Sequence, residues 1–364
     1  MAVDILAEEQ LKLELQRVLS KYFLRQLENL LRDKTGAFFP IDHLSNLELG
    51  KRLGKRKELQ LMNVTVVDAL QNKKFKVDLA FKFLTDANEA IKEANGAVWL
   101  EELLKNNNRV KTARLLYFSK EYSLLIYEGL SDSTEFFTNE LDLPQKFFLA
   151  GSALPYVHGL FKQKVIVDRY LHLITETLNG LNISVNDRDE LNSLFKPHLK
   201  RIGMSLAGAH SFGDFHPGNL MLGESDRQLM NSGDLKIDHT ITYLVDPAYI
   251  DRDNFIDRAE DFGTFFTKFA YNEYSQTQSF EKTVSDIQLF CKGYDYTSSF
   301  NGVKFADYYP EEITSIDFHI ALGILIESLF KSRLAGHSSS SSIVLTSLEA
   351  ARYILKKQPF TVYD

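Results

Sequence analysis

Between Phe212 and Asp246 the chain sets an aspartate, an asparagine and a second aspartate against two short apolar runs. In Gly213-Asp214-Phe215-His216-Pro217-Gly218-Asn219 the asparagine follows the aspartate by five residues, and Tyr243-Leu244-Val245 ends on Asp246-Pro247. Leu220 to Leu222 and Ile241 to Val245 read as strands able to pair, so one strand-loop-strand segment gathers positions 214, 219 and 246. Each residue alone also suits an Asx-turn or a strand-end carboxylate. Together, with Gly213 beside the first aspartate and Pro217-Gly218 before the asparagine, they point to a site.

Phosphoryl transfer asks a protein to position a nucleotide triphosphate, neutralise its charge with metal and orient a nucleophile. Asp214 suits the group that orients or deprotonates an acceptor hydroxyl. Asn219 and Asp246 supply the hard oxygen ligands that Mg²⁺ prefers. His216 suits a contact to substrate phosphate or a metal-bound water and equally a structural hydrogen bond within the loop, and is given no catalytic role. From a different class, His210, Asp214, His216 and Asp246 could form a two-metal phosphoesterase site. No D-x-H strand opens such a site, and Leu220 follows Asn219 where a G-N-H segment would need histidine.

The remaining pattern predicts an α+β chain in two lobes. Residues 3 to 33 carry Ile5, Leu11, Leu15, Val18, Leu19, Phe23, Leu27 and Leu30 on one helical face, so residues 1 to 40 form an amphipathic helical extension. This helix packs on the small lobe or mediates self-association as a homodimer; a non-catalytic interaction protein would use it to bind a partner. Residues 41 to 130 form a small nucleotide-binding lobe of five antiparallel strands and one helix. Its strand signals lie at 46–50, 58–68, 75–84, 113–118 and 122–127. Asp86 with Glu89 resembles a capping box that opens the helix, whose seam runs through Ala90, Ala94, Ala97/Val98 and Leu104. Residues 131 to 364 form a mainly helical lobe, with helices near 144–160, 163–179, 187–208, 255–272, 280–292, 310–333 and 342–357. Only 219–222 and 241–245 read as strands there.

Within the small lobe, alternation from Lys74 to Leu84 puts Phe75, Val77, Leu79, Phe81 and Phe83 on one face and Ala80 and Lys82 on the other. A small alanine leaves room for adenine, and a lysine two residues on can reach the α- and β-phosphates. Glu93, flanked on the helix seam by Ala90 and Ala97, is the preferred partner of Lys82, with Glu89 as competitor. Gly50 and Gly54, set among Lys51, Arg52, Lys55 and Arg56, suit a turn over phosphates and suit a plain basic hairpin tip equally. The strand from Leu124 ends in Glu128-Gly129-Leu130, a hinge whose backbone could contact adenine.

A net charge of -7 argues against nucleic acid as a partner. No stretch approaches the roughly 18 consecutive apolar residues of a membrane span, and Met1 to Leu30 lacks the pattern of a secretory signal, so a cytoplasmic location is expected. Cys291 is the only cysteine, which excludes an internal disulfide and a cysteine-cluster metal site.

With these residues placed, the chain resembles the aminoglycoside phosphotransferase and choline kinase-like family, which has the protein kinase-like fold. Phe212 to Asn219 resembles the family's H-G-D-x-H-P-G-N catalytic loop, and Leu244-Val245-Asp246-Pro247 its metal-binding segment. Glu93-Ala94 with Val98-Trp99-Leu100 is similar to the helix carrying the lysine's partner. Arg258-Ala259-Glu260-Asp261-Phe262 looks like the later D-R-x-x-D-L/F helix, whose aspartate buttresses the catalytic loop, so the resemblance gives Asp261 that structural role. It implies ATP, or GTP, with Mg²⁺ as cofactors and a hydroxyl-bearing small molecule as acceptor. Phe212 stands where the family usually has histidine, and the glycine loop is degenerate. The stretch after Asp246 lacks the A-P-E motif of a protein kinase, which favours a small acceptor. A protein kinase or a nucleotide-binding pseudokinase is the alternative within the same fold. Asp251 and Asp253 read either as a solvated turn or as binders of a cationic substrate.

Overall fold

The computed structural model describes residues 21–36, 40–53, 59–68, 70, 73–224, 240–247, 250–309, 315–335 and 342–361. It is a mixed α+β, helix-rich chain that divides into two compact units, residues 1–101 with 113–132, and residues 102–112 with 133–364. No helix among the described residues is long and apolar enough to cross a membrane.

The first unit opens with α1 (Lys21–Thr35), followed by β1 (Ile41–Leu53), β2 (Leu59–Asp68), β3 (Lys74–Phe83) and α2 (Ala87–Leu104). After β4 (Val110–Thr112), which pairs within the second unit, come β5 (Leu115–Ser119) and β6 (Leu124–Glu128). The sheet order is β1-β2-β3-β6-β5, antiparallel throughout. Period-two alternation gives this sheet two apolar faces. On one, Val77, Leu79 and Phe81 of β3 join Val64, Leu124 and Ile126 beneath Phe23, Leu27, Leu30 and Leu31 of α1. On the other, Ala80 lies with Leu125 and Tyr127 under the alanine seam of α2. The part of the expected N-terminal helix that is described therefore covers a sheet face, where each fully buried Phe or Leu contributes about 1.5–3 kcal/mol; residues 1–20 lie outside the described residues.

Asp86 caps α2 by accepting from Asn88 N at 2.8 Å. The seam is Ala90, Ala94, Ala97, Leu100 and Leu104, all buried; Val98, expected beside Ala97, is 60% exposed because it sits one step further round the helix. Phe83, assigned to the apolar face by parity, is exposed at the end of β3 where little covers it.

The second unit holds β7 (Ser133–Glu135), α3 (Leu143–His158), α4 (Asp168–Gly180), α5 (Val185–Met204), β8 (Gly208–Ser211), β9 (Leu220–Glu224), β10 (Thr240–Leu244), β11 (Asp251–Asp257), α6 (Ala259–Thr277), α7 (Glu281–Ser299), α8 (Ile316–Ala335) and α9 (Ser342–Lys357). A four-stranded sheet runs β4-β10-β9-β7, and β8 pairs with β11. The start of α3 is fixed by a capping box: Asp142 accepts from Gln145 N at 2.8 Å, and the Gln145 side chain accepts from Asp142 N at 3.3 Å.

Three expectations are corrected here. Strands in this part of the chain are not confined to 219–222 and 241–245. The stretch 205–208, expected as helix, leads into β8, and 255–257, expected as the start of a helix, completes β11, with Ile256 opposite Ala209. Small and charged residues give these strands little alternation, and their pairing comes from each other. The helix expected from 163 begins at Asp168, since Gln163 bridges to Ala207 and Gly208 in extended backbone.

Candidate active site

In the second unit, β9 and β10 pair antiparallel with Leu220 opposite Leu244. Val245 N donates to Asn219 O at 3.0 Å, so the strand-start asparagine and the strand-end Asp246 are held at the same end of the pair. Asp246 adopts φ 61°, a left-handed conformation that aspartate tolerates better than most residues and that turns the chain sharply after the strand. On the other side, the Asn219 side-chain amide donates to Asp214 O at 2.9 Å. The structure thus brings 214, 219 and 246 together through two adjacent strands and one loop. With the amide nitrogen committed to Asp214, the Asn219 side-chain oxygen remains available as an acceptor, at the same end of the strand pair as Asp246. That donor set fits a hard divalent cation completed by phosphate oxygens and water. Among the described residues no group of three or more His, Cys, Asp or Glu side chains could hold a metal ion.

The loop itself is short and tightly bonded. His216 accepts from Gly218 N through Nδ1 at 2.9 Å and so caps the single turn Pro217–Asn219, while its Nε2 lies 3.6 Å from Asp214 Oδ2. This bond is the structural one of the two readings the sequence offers for His216. Gly213 has φ 83°, the turn that presents Asp214, whose side chain is 41% exposed. The His210 ring packs 5.4 Å, centre to centre, from both Phe161 and Phe255.

Behind the loop lies the buried carboxylate of Asp261 in α6. Oδ2 accepts from Phe212 N at 2.9 Å, and Oδ1 from Gly213 N at 3.1 Å and from Ser211 Oγ at 3.0 Å. The fourth partner is His158 Nε2, 3.0 Å from Oδ2. Burial lowers the His158 pKa against the pull of Asp261. The neutral ring then donates from Nε2 to Asp261, and Nδ1, 3.2 Å away, accepts from Tyr294 OH. Arg258, also buried, donates to Tyr294 OH and to the carbonyls of Gly159 and Phe161, and its guanidinium lies 3.7 Å from the Tyr308 ring centre. Phe212, at the position where histidine was the family's usual residue, is fully buried against Phe215, with ring centres 5.8 Å apart.

In the first unit, Lys82 Nζ lies 2.8 Å from Glu93 Oε2, with side chains 10% and 1% exposed. Glu93 Oε1 accepts from Tyr127 OH at 2.8 Å. Glu89, the competing partner, is exposed. Glu128 and Gly129 close β6 onto its neighbours: Glu128 N donates to Arg114 O at 2.9 Å and Gly129 N to Asp78 O at 2.7 Å. Leu130 follows, half-buried. Gly50 lies in β1 where the register against β2 shifts between Leu49 and Arg52. Gly54 lies outside the described residues, as do the side chains of Asp251 and Asp253.

Sequence reasoning did not find Tyr127, His158 or Ser211. Tyr127 was within reach, because β6 alternates and the register puts Tyr127 opposite Ala80, on the face Lys82 uses. A histidine closing the apolar helix α3 was a weaker signal. Nothing in the sequence marked Ser211.

No family model matches the sequence and no curated protein matches it. Solved structures similar to the chain include a choline kinase from Streptococcus pneumoniae, at 15% identity and TM-score 0.48, with 92% of this chain and 98% of that one covered. A choline/ethanolamine kinase family protein from Mesorhizobium loti is similar at 15% identity and TM-score 0.45, covering 89% and 98%. A spectinomycin phosphotransferase is similar at 12% identity and TM-score 0.44, covering 93% and 98%.

Proposed function

We propose that the chain is an ATP-dependent, Mg²⁺-dependent phosphotransferase that moves the γ-phosphoryl group to a hydroxyl of a small molecule, on a protein kinase-like fold. The observation that carries this reading is the gathering of Asp214, Asn219 and Asp246 at one end of the β9–β10 pair, with the loop bonded from behind by Asp261. Phosphoryl transfer needs positioning and charge neutralisation more than covalent chemistry, and this arrangement supplies fixed oxygens rather than a nucleophile.

In this reading Asn219 and Asp246 hold the magnesium, which when bound neutralises phosphate charge and orients the phosphoryl group. Asp214 accepts a hydrogen bond from the acceptor hydroxyl and takes its proton as the new bond to the γ-phosphorus forms and the bond from that phosphorus to the bridging oxygen breaks, releasing ADP. Its exposure lets an acceptor reach it, while the backbone on either side stays fixed. Lys82, kept in place by Glu93, serves the α- and β-phosphates. The backbone of Glu128 to Leu130 serves the adenine, and Gly50 and Gly54 serve the phosphate turn. An acceptor of the aminoglycoside, choline or sugar type agrees with the acidic chain and the absence of an A-P-E motif.

The test is ADP release with ATP and Mg²⁺ against a panel of aminoglycosides, amino alcohols and sugars, for the wild type and Asp214→Ala. The expected outcome is turnover stimulated by at least one acceptor, abolished by chelation, and about 10²–10⁴-fold slower in Asp214→Ala with nucleotide affinity kept. Nucleotide binding without turnover on any acceptor would leave a pseudokinase. Failure to bind nucleotide with Mg²⁺ would remove the proposal altogether.

A further inference from the structure

The second unit carries a cleft of about 230 Å³ between α6, α8 and α9 whose lining includes no residue of the loop described above. Its floor is buried and rich in hydroxyls, contributed by Thr267, Ser328 and Ser347 beside Ile324; its rim is charged. A serine or threonine inside a helix commonly donates to the carbonyl one turn back. Thr267 does so to Gly263 O at 2.7 Å, and Ser347 to Ile343 O at 2.8 Å. Ser328 does not. Its hydroxyl is buried and has no hydrogen-bond partner among the described residues. An unpaired buried donor is costly, and an acceptor oxygen that displaces the atoms covering it as the cleft takes up a ligand would relieve it.

The rim sets the charge of such an acceptor. Glu327 is shared between two lysines, with Oε1 3.5 Å from Lys268 Nζ and Oε2 3.6 Å from Lys331 Nζ. Two ammonium groups against one carboxylate leave one formal positive charge in excess. Lys331 Nζ also lies 5.1 Å from the centre of the Tyr271 ring, which restrains it at the mouth. Floor and rim therefore present donors to one negatively charged group, and Asn272 and Glu327 offer acceptors to the rest of a ligand.

We propose that this cleft binds a small organic monoanion through its carboxylate, with Ser328 and Lys331 donating to the carboxylate oxygens and Asn272 and Glu327 taking hydroxyl groups of its body. A phosphate monoester, with a charge of about -1.5 to -2 at neutral pH, exceeds the local excess. An uncharged polyol leaves that excess unbalanced. The volume, below the roughly 300–1,000 Å³ of drug-sized sites, restricts the ligand to a small metabolite.

Titration calorimetry on the full chain tests this with gluconate and glycerate, with glucose and glycerol as their uncharged counterparts, and with inorganic phosphate. Gluconate or glycerate should bind saturably and at least about tenfold more tightly than glucose, glycerol or phosphate. Lys331→Met, on the exposed rim, and Ser328→Ala should each weaken that binding about fivefold or more. Ser328→Ala should at the same time raise the melting temperature of the ligand-free chain, because it removes an unpaired hydroxyl, and amide shifts on adding gluconate should cluster on α6, α8 and α9. The proposal is overturned if neither carboxylate saturates below about 20 mM, if phosphate or the polyols bind equally well, if both variants bind like the wild type, or if the shifts fall elsewhere.

Discussion

The two units hold their charged residues in opposite ways. In the first, Lys82 and Glu93 are buried between a sheet and a helix and fix each other by an ion pair, with Tyr127 closing the second carboxylate oxygen. In the second, Asp214 is open to solvent, and its rigidity comes from behind, through backbone amides bonded to Asp261 and an asparagine bonded to its own carbonyl. The difference matches what each group is proposed to do. A cation that anchors phosphates can be held by its own side chain's neighbours. A carboxylate that must meet an incoming hydroxyl has to keep its side chain accessible, so only its backbone can be fixed.

Removing one partner of the buried pair is expected to have the largest effect on stability. Glu93→Ala strands an ammonium in an apolar setting and should cost about 3–5 kcal/mol, read as the denaturant midpoint. Lys82→Met combined with Glu93→Gln removes the charge while keeping an acceptor for Tyr127, and should regain most of that loss without regaining nucleotide turnover. Asp214→Ala should leave the midpoint where it is, and a midpoint shift as large as that of Glu93→Ala would erase the contrast between the units.

Asp317 separates the effect of burial from that of a paired cation. Like Glu93 it is buried, but its partners are Phe360 N and Thr361 Oγ1, each at 2.9 Å, with no cation paired to it among the described residues. Desolvation wins, and its pKa is raised from 3.8 to about 7. A raised carboxyl pKa means that the folded state keeps a proton the unfolded chain has released. The associated stability is therefore complete below about pH 4 and is lost as pH rises through about 7. At about 1.4 kcal/mol per pKa unit, the change is at most about 4 kcal/mol. Asp317→Asn should flatten stability across that window; an unchanged slope would show that the group ionises normally.

Asp261→Asn probes the support behind the open carboxylate. Four donors converge on Asp261, and an amide can accept from only some of them, so the substitution should cost about 1.5–3 kcal/mol. Turnover should fall with nucleotide affinity unchanged. Equal losses in both would argue against a role confined to the loop.

Legibility followed the range of the interactions. Asp214, Asn219 and Asp246 could be read because one loop and two adjacent strands bring them together, and the motif records that locality. Lys82 and Glu93 could be read because period two on β3 and period 3.6 on α2 set them on facing surfaces. Strands β8 and β11 could not, since Gly208 to Ser211 and Asp251 to Asp257 carry no alternation strong enough to outweigh the neighbouring helical signals. His158 reaches Asp261 across 103 residues of sequence, and no local pattern encodes such a contact. The expected phosphate turn rests on glycines among basic residues alone, a pattern that does not separate it from a plain hairpin tip, and Gly50 falls at a register shift in β1.

Gly129 offers the finest test of how the first unit is fixed. Its amide donates to Asp78 O at 2.7 Å, and a Cβ built on it would lie 2.6 Å from the Asp78 carbonyl carbon. The obstacle is backbone in the middle of β3, so it cannot swing aside as a side chain would. Gly129→Ala must therefore part the end of β6 from β3, at a cost of about 1–3 kcal/mol. Because Lys82 lies four residues further along β3 and Glu93 on α2, their pairing should survive. If the Glu128 to Leu130 backbone contacts adenine, the variant should bind nucleotide more weakly while keeping turnover at saturating nucleotide. Affinity equal to that of the wild type in a destabilised Gly129→Ala chain would reduce this close approach to packing alone.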